Sequence, residues 1–195
     1  MTTVLQSPPA AKLLTYEAYM AEEEIHLRYD IIDGERIYMA GAKWWHQRVS
    51  RNISRPFEDY EDAGRNGQSL YAPFDIMIRR RPLRTRQPDV FFISNTKLQQ
   101  AGDYMEAGWL EIAPELVVEI VSDSERERIL DAKIADYCAI GVEEGWVVRR
   151  SAYTVEVLRF TLAGAQSVHI YGAGETVQSI TFPDLLVDVD AIFAE

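Results

Sequence analysis

The chain has a single cysteine, three scattered histidines, no internal repeat and no stretch of 18 or so apolar residues that would span a bilayer. One thiol cannot close an internal disulfide. Cys138, set among Ile134, Ala135 and Tyr137, reads as core and not as a nucleophile. His26, His46 and His169 lack the paired spacing of a zinc site. With no basic-then-apolar leader either, the expected compartment is the cytoplasm. Basic charge is also short: 20 Lys and Arg face 31 Asp and Glu, a net charge of −11. The average field therefore repels nucleic acid and anionic membrane, so any nucleic-acid contact must use a local basic patch.

What is present is enough for one ordinary domain. The 195 residues are 47% hydrophobic, which suffices for a sizeable core. Residues 1–14, with Pro8-Pro9 and no periodicity, are expected to be a mobile lead-in, and 15–195 a single domain whose first helix is capped by Thr15. Asp33-Gly34 between Tyr29–Ile32 and Glu35–Met39 predicts a tight hairpin. Trp45, Val49, Ile53, Phe57 and Tyr60 recur at helical steps, predicting a helix over 43–63 that Pro56 kinks or splits. Strand-like runs follow near Gln68–Tyr71, Phe74–Ile78 and Gln87–Ile93, the last two joined by an arginine-rich connection, and 95–114 reads as a long loop with a short helix. Leu116–Val121 is apolar and β-branched apart from Glu119, predicting a strand covered on both faces. A helix over 125–140, with Ile129, Leu130, Ile134, Tyr137 and Cys138 on its inner side, leads to a strand at Trp146–Val148. Alternation around Tyr153–Val157 and Val168–Ile170 then predicts a C-terminal antiparallel meander closing the sheet.

Two acids stand out because they sit where acids are costly. Alternation places Asp89 on the face of Phe91 and Ile93, and Glu119 interrupts the most apolar strand. Together they can share one divalent cation, since Mg²⁺ is commonly held by one or two carboxylates with waters and phosphate oxygens. Alternatively Asp89 caps a strand end and Glu119 pairs with a core arginine. Lys133 lies four residues from both Ile129 and Tyr137, so it projects inward from the helix after the Glu119 strand; the alternative is a side chain that snorkels to water. Arg79, Arg80, Arg81, Arg84 and Arg86 form a basic run just before Asp89, suited to phosphate oxygens or simply a solvated hairpin tip.

Gln87-Pro88-Asp89-Val90, then Val118-Glu119-Ile120-Val121-Ser122, then Asp131-Ala132-Lys133 with Tyr137 and Gly141-Val142, resemble the restriction-endonuclease family once designated domain of unknown function 820, within the PD-(D/E)XK nuclease superfamily. Tyr29–Glu35, His46-Gln47-Arg48 and Ala72–Asp75 extend the likeness over about Leu14 to Phe193. The resemblance implies an α/β, mixed α+β, restriction-endonuclease-like core: a mixed β-sheet flanked by helices. It also implies Asp89 and Glu119 as metal ligands and the Ile120 main-chain carbonyl as a further one. The superfamily's lysine usually lies two residues after the acid, where Val121 stands here; the family's lysine on the following helix matches Lys133. Arg149-Arg150 replaces an Asp-Pro turn usual in relatives. Glu35 and His46 are candidates for positioning groups at the rim, each equally readable as a solvated surface residue.

The function expected is a Mg²⁺-dependent endonuclease, with Mn²⁺ as substitute, hydrolysing DNA phosphodiester bonds, with Lys133 orienting water or stabilising the transition state. Double-strand cleavage would need two sites, hence an expected homodimer. Two other readings are a catalytically inactive nuclease-fold binding module, favoured by the net charge of −11, and a phosphoesterase on small nucleotides.

Overall fold

In the computed structural model, residues 13–22, 27–39, 41–101, 108–121 and 127–195 are described. Helix α1 (Tyr16–Met20) starts at Thr15, whose hydroxyl accepts from the Ala18 N–H at 3.1 Å. Strands β1 (Tyr29–Ile32) and β2 (Glu35–Tyr38) form the hairpin. Asp33 and Gly34 both have positive φ, 53° and 87°, as a primed two-residue turn requires. A Cβ on Gly34 would meet Leu13 and Leu14 at 3.0 Å, because the Leu14 N–H bonds the Gly34 carbonyl. Leu13 and Leu14 thus belong to the folded unit, and the expected lead-in lies otherwise outside the described residues.

Helix α2 (Trp44–Asp62) runs unbroken through Pro56. It is followed by β3 (Gln68–Tyr71), β4 (Asp75–Arg80), β5 (Leu83–Arg86), β6 (Val90–Ile93) and the short α3 (Asn95–Leu98). The arginine-rich connection is therefore a strand hairpin, β4 against β5. The expected long loop also holds a two-residue strand, β7 (Trp109–Leu110), parallel to β4. Next come β8 (Leu116–Val121), α4 (Glu127–Ile140), β9 (Glu144–Arg149), β10 (Thr154–Thr161), β11 (Gly164–Tyr171), β12 (Thr176–Gln178), β13 (Leu186–Asp188) and α5 (Val189–Phe193). The predicted start of α4 at 125 lies outside the described residues, and Gly141 ends it at φ 87°.

The strands assemble into a six-stranded mixed sheet, β11-β10-β9-β8-β6-β3, and a five-stranded one, β2-β1-β5-β4-β7. The meander is β9-β10-β11; β12 and β13 pair separately. Alternation divides the large sheet cleanly. Val90, Phe92, Leu116, Val118 and Ile120 face Val49, Ile53 and Phe57 of α2. Phe91, Ile93, Val117 and Val121 face Leu130, Tyr137 and Cys138 of α4, with Ile76 of β4 in the same cluster. Each such side chain contributes roughly 1.5–3 kcal/mol by leaving water. Ile129 departs from the expected inner stripe: it is 44% exposed, because the buried line of α4 runs through Leu130, Lys133 and Tyr137. Among the described residues no helix is long and apolar enough to cross a membrane.

Candidate active site

Parallel β8 lies at the centre of the large sheet and is buried throughout. Its antiparallel partner β6 covers only the first half, from Phe92 opposite Leu116 to Val90 opposite Val118. At that point the chain turns away through Pro88, and Asp89 finishes the pairing with its side chain. The Asp89 N–H donates to the Val118 carbonyl at 3.1 Å, and Asp89 Oδ2 accepts from the Ile120 N–H at 2.6 Å. Asp89 is therefore anchored to the residues on either side of Glu119. Glu119 shares the sheet face of Val117 and Val121, toward α4.

From α4, Lys133 Nζ reaches Glu119 Oε2 at 2.6 Å, and the Tyr137 hydroxyl donates to Oε1, also at 2.6 Å. Lys133 and Tyr137 stand one helical turn apart, so both point at one carboxylate. Lys133 is 5% exposed and Glu119 likewise 5%, which makes this a buried ion pair and excludes a lysine snorkelling to water. Burial pushes the Glu119 carboxyl up, opposed by the Lys133 charge and reinforced by the nearby Asp89 charge. The Tyr137 hydroxyl is held well above its ordinary value by burial and by Glu119.

Two further side chains close on Asp89. Arg28, just before β1, bonds Oδ1, and His46 Nε2 in the first turn of α2 lies 3.4 Å from the same oxygen. Burial alone would raise Asp89, but the His46 hydrogen bond and the charges of Arg28, His46 and Lys133 outweigh it, leaving the carboxyl lowered to about 2. Neither Arg28 nor Tyr137 was marked in the sequence as a site residue. Tyr137 carried a signal, four residues after Lys133 on one helix face. Arg28 carried none, since a lone arginine before a hairpin says nothing of what the hairpin docks on.

The other sequence candidates fall elsewhere. Glu35 is exposed at the turn end of the hairpin, about 10 Å of strand rise from the Arg28 end. Among the described residues it makes no hydrogen bond to the site. The arginine run, expected to be exposed beside the carboxylates, is split by strand alternation. Arg86 is 4% exposed and bridges Asp30 and Asp136 at 2.7 Å each; Arg84, half-buried, also holds Asp136 at 2.8 Å. Only Arg79, Arg80 and Arg81 reach solvent, at the hairpin tip, about 13 Å of β5 away from the Asp89 end. Each is matched there by an acid: Asp33, Glu111 and Glu17.

A family model with the description "Putative restriction endonuclease", Uma2, matches residues 13–190. The solved structure of "a putative nuclease belonging to DUF820" from Anabaena variabilis is similar with a TM-score of 0.75, covering 93% of this chain and 98% of that one at 16% identity. At that identity the likeness establishes the fold. No curated protein matches the chain.

Proposed function

The chain belongs to the Uma2 family, and on that premise we propose that it is a metal-dependent nuclease whose site is Asp89, Glu119 and Lys133. The observation that carries this reading is the buried Lys133–Glu119 pair at 2.6 Å, set beside a second buried carboxylate just before the adjacent strand. Two buried acids meet Lys133, Arg28 and His46 at the point where two strands part, and a gathering of shifted acids of this kind supports the reading of a working site.

The donor set suits a hard cation. Among the described residues no group of three or more His, Cys, Asp and Glu side chains forms a cage, but Mg²⁺ asks for only one or two carboxylates, with water completing its shell. Asp89 Oδ2 and both Glu119 oxygens each accept one hydrogen bond, which leaves each a lone pair. Asp89 and Glu119 would hold the metal, with the Ile120 carbonyl beside them. Bound there, it would polarise a phosphate oxygen and acidify a water.

The remaining chemistry belongs to the chain. Glu119 fixes the Lys133 ammonium at one oxygen, where it would stabilise charge on a nonbridging phosphate oxygen or orient the attacking water. Tyr137 stops the Glu119 carboxylate from rotating. Arg28 and His46 hold Asp89, and Arg28 adds positive charge beside the scissile phosphate. The competing reading, a nuclease fold kept for binding alone, draws on the fact that protein donors already engage both carboxylates. Melting under Mn²⁺ titration and DNA cleavage decide between them. A nuclease melts higher with Mn²⁺ and cuts DNA, and Asp89→Ala with Glu119→Ala loses both responses; absence of both in the native chain overturns the proposal.

A further inference from the structure

Four of the arginines left without an acid among the described residues lie on another surface. Arg48, Arg51 and Arg55 of α2 and Arg150 after β9 form no ion pair among the described residues. On α2, Trp44, Arg48, Arg51 and Arg55 are spaced by four, three and four residues, a single stripe opposite the buried Val49, Ile53 and Phe57. The first twelve residues of α2 hold three arginines and no acid, whereas its last five hold Glu58, Asp59, Glu61 and Asp62. Both ends thus oppose the helix dipole, and Lys43 at the N-cap makes no side-chain cap bond. Helix stability favours the reverse placement; Arg48 Nε donates to the Ala194 carbonyl at 3.4 Å.

The start of this stripe adjoins the carboxylates. Trp45 packs on His46 with ring centres 5.6 Å apart, and His46 touches Asp89. Arg150 lies over the Trp45 ring at 5.2 Å, in the turn after β9, whose Val147 pairs with Glu119. A groove here is lined by Trp44, Trp45, Arg48, Arg150, Tyr153 and Phe193, and by the acidic Glu195. Two aromatic rings are left open to solvent: Trp44 is 70% exposed and Tyr153 54%. Tyr153 holds φ 53°, a left-handed conformation that bulky side chains avoid, while its ring leans on Phe193 at 5.3 Å.

We propose that this groove binds unpaired DNA leading to the carboxylates, its bases stacking on Trp44 and Tyr153 and its phosphates meeting Arg48 and Arg150, with Arg51 and Arg55 continuing the track. A duplex keeps its base faces covered and offers nothing to an exposed indole or phenol, whereas a single strand offers both a base face and a phosphate at every step. One site then suffices for one cut. The inference rests on the nuclease reading for its substrate class but places contacts that reading does not contain.

The test is fluorescence anisotropy with labelled oligodeoxythymidine of about 12 nucleotides and a labelled duplex, in EDTA, where no cutting occurs. Native protein should bind the single strand at least about tenfold more tightly, quenching tryptophan emission. Trp44→Ala should weaken binding about fivefold or more, the loss of one stacked base. Tyr153→Asn, which suits the left-handed backbone, should weaken binding without lowering the melting temperature, which a purely structural Tyr153 would not do. Arg48→Ala and Arg150→Ala should each weaken binding and flatten its log–log salt slope by about 0.7. Glu195→Gln should strengthen it, and Arg81→Ala at the hairpin tip should change nothing. Equal or tighter duplex binding, or indifference to Trp44→Ala and Arg150→Ala, overturns the proposal. Cleavage of duplex untouched by these substitutions would sink this inference and leave the nuclease reading standing; single-strand binding at the groove with no cleavage in any metal would do the opposite.

Discussion

Two regions of the large sheet bury glutamates almost completely, and they do so by opposite means. Glu144, at the start of β9, is 0% exposed and is surrounded by neutral donors: the Trp146 indole at 2.7 Å, the Ser179 hydroxyl at 2.7 Å, and the N–H groups of Ile180 and Thr181. Glu119, on the next strand, faces an ammonium and a phenol, with another carboxylate alongside. The first is a staple that ties the chain after β12 to the sheet. The second is a set of charges held at close range, held up by burial and held down by Lys133. A buried acid wrapped in fixed dipoles has one use, to hold position. A buried acid balanced by a side-chain cation can take another positive group in its place.

The largest expected effect strikes the staple. Glu144→Gln replaces a four-donor acceptor by a group whose amide must face N–H donors, and should cost on the order of 3 kcal/mol, lowering the melting temperature by roughly 6–12 °C. Mn²⁺ should still raise the melting point of this variant by as much as in the native chain; loss of that response would erase the contrast between the regions. Next comes Lys133→Met, which keeps the stem and deletes the ammonium. Cleavage should fall on the order of a hundredfold, and because a buried Glu119 without its cation takes up a proton, the Mn²⁺ response should weaken as well. Unchanged cleavage would show that Lys133 is only a neutraliser.

Asp89→Asn should cost about 2 kcal/mol at neutral pH, from a carboxyl lowered from 3.8 to about 2. A depressed acid contributes fully above its unfolded value and loses that contribution as pH falls through its folded value. The stability gap between native chain and variant should thus be constant above pH 4 or so and close as pH drops toward about 2, as measured by urea melts across that range. A gap that widens on acidification would mean that Arg28 and His46 do not hold Asp89. Smallest of all, Arg81→Ala breaks a pair whose members are 82% and 60% exposed and should move stability by less than about 0.5 kcal/mol in a urea melt.

The sequence carried the frame of this site well. Asp89, Glu119 and Lys133 were legible because each is a charged residue in an apolar pattern, where burial can be inferred from period alone. The hairpin, α2, β8 and α4 were legible for the same reason, with the turn at Asp33-Gly34 written in its own chemistry. What escaped depends on tertiary pairing. The run from Arg79 to Arg86 looked like one basic loop, but as β4 and β5 it alternates, and Arg86 turns inward to acids 50 and 56 residues away in sequence. Arg28 and His46 meet at Asp89 because the hairpin and the start of α2 converge there, which no local pattern records. The neighbourhood of Glu35 is set in the same way, by which end of the hairpin docks.

Asp136 is the one acid on α4 that reaches across to the smaller sheet, taking Arg84 and Arg86, and those arginines hold Asp33 and Asp30 of the N-terminal hairpin. It sits three residues past Lys133, so whatever fixes the roll of α4 at Asp136 also fixes the bearing of the ammonium. A helix advances 100° per residue, and a roll of a quarter turn would carry Lys133 off Glu119 altogether. The hairpin, far from the chemistry at its turn, thereby acts as the keel that sets the heading of the helix.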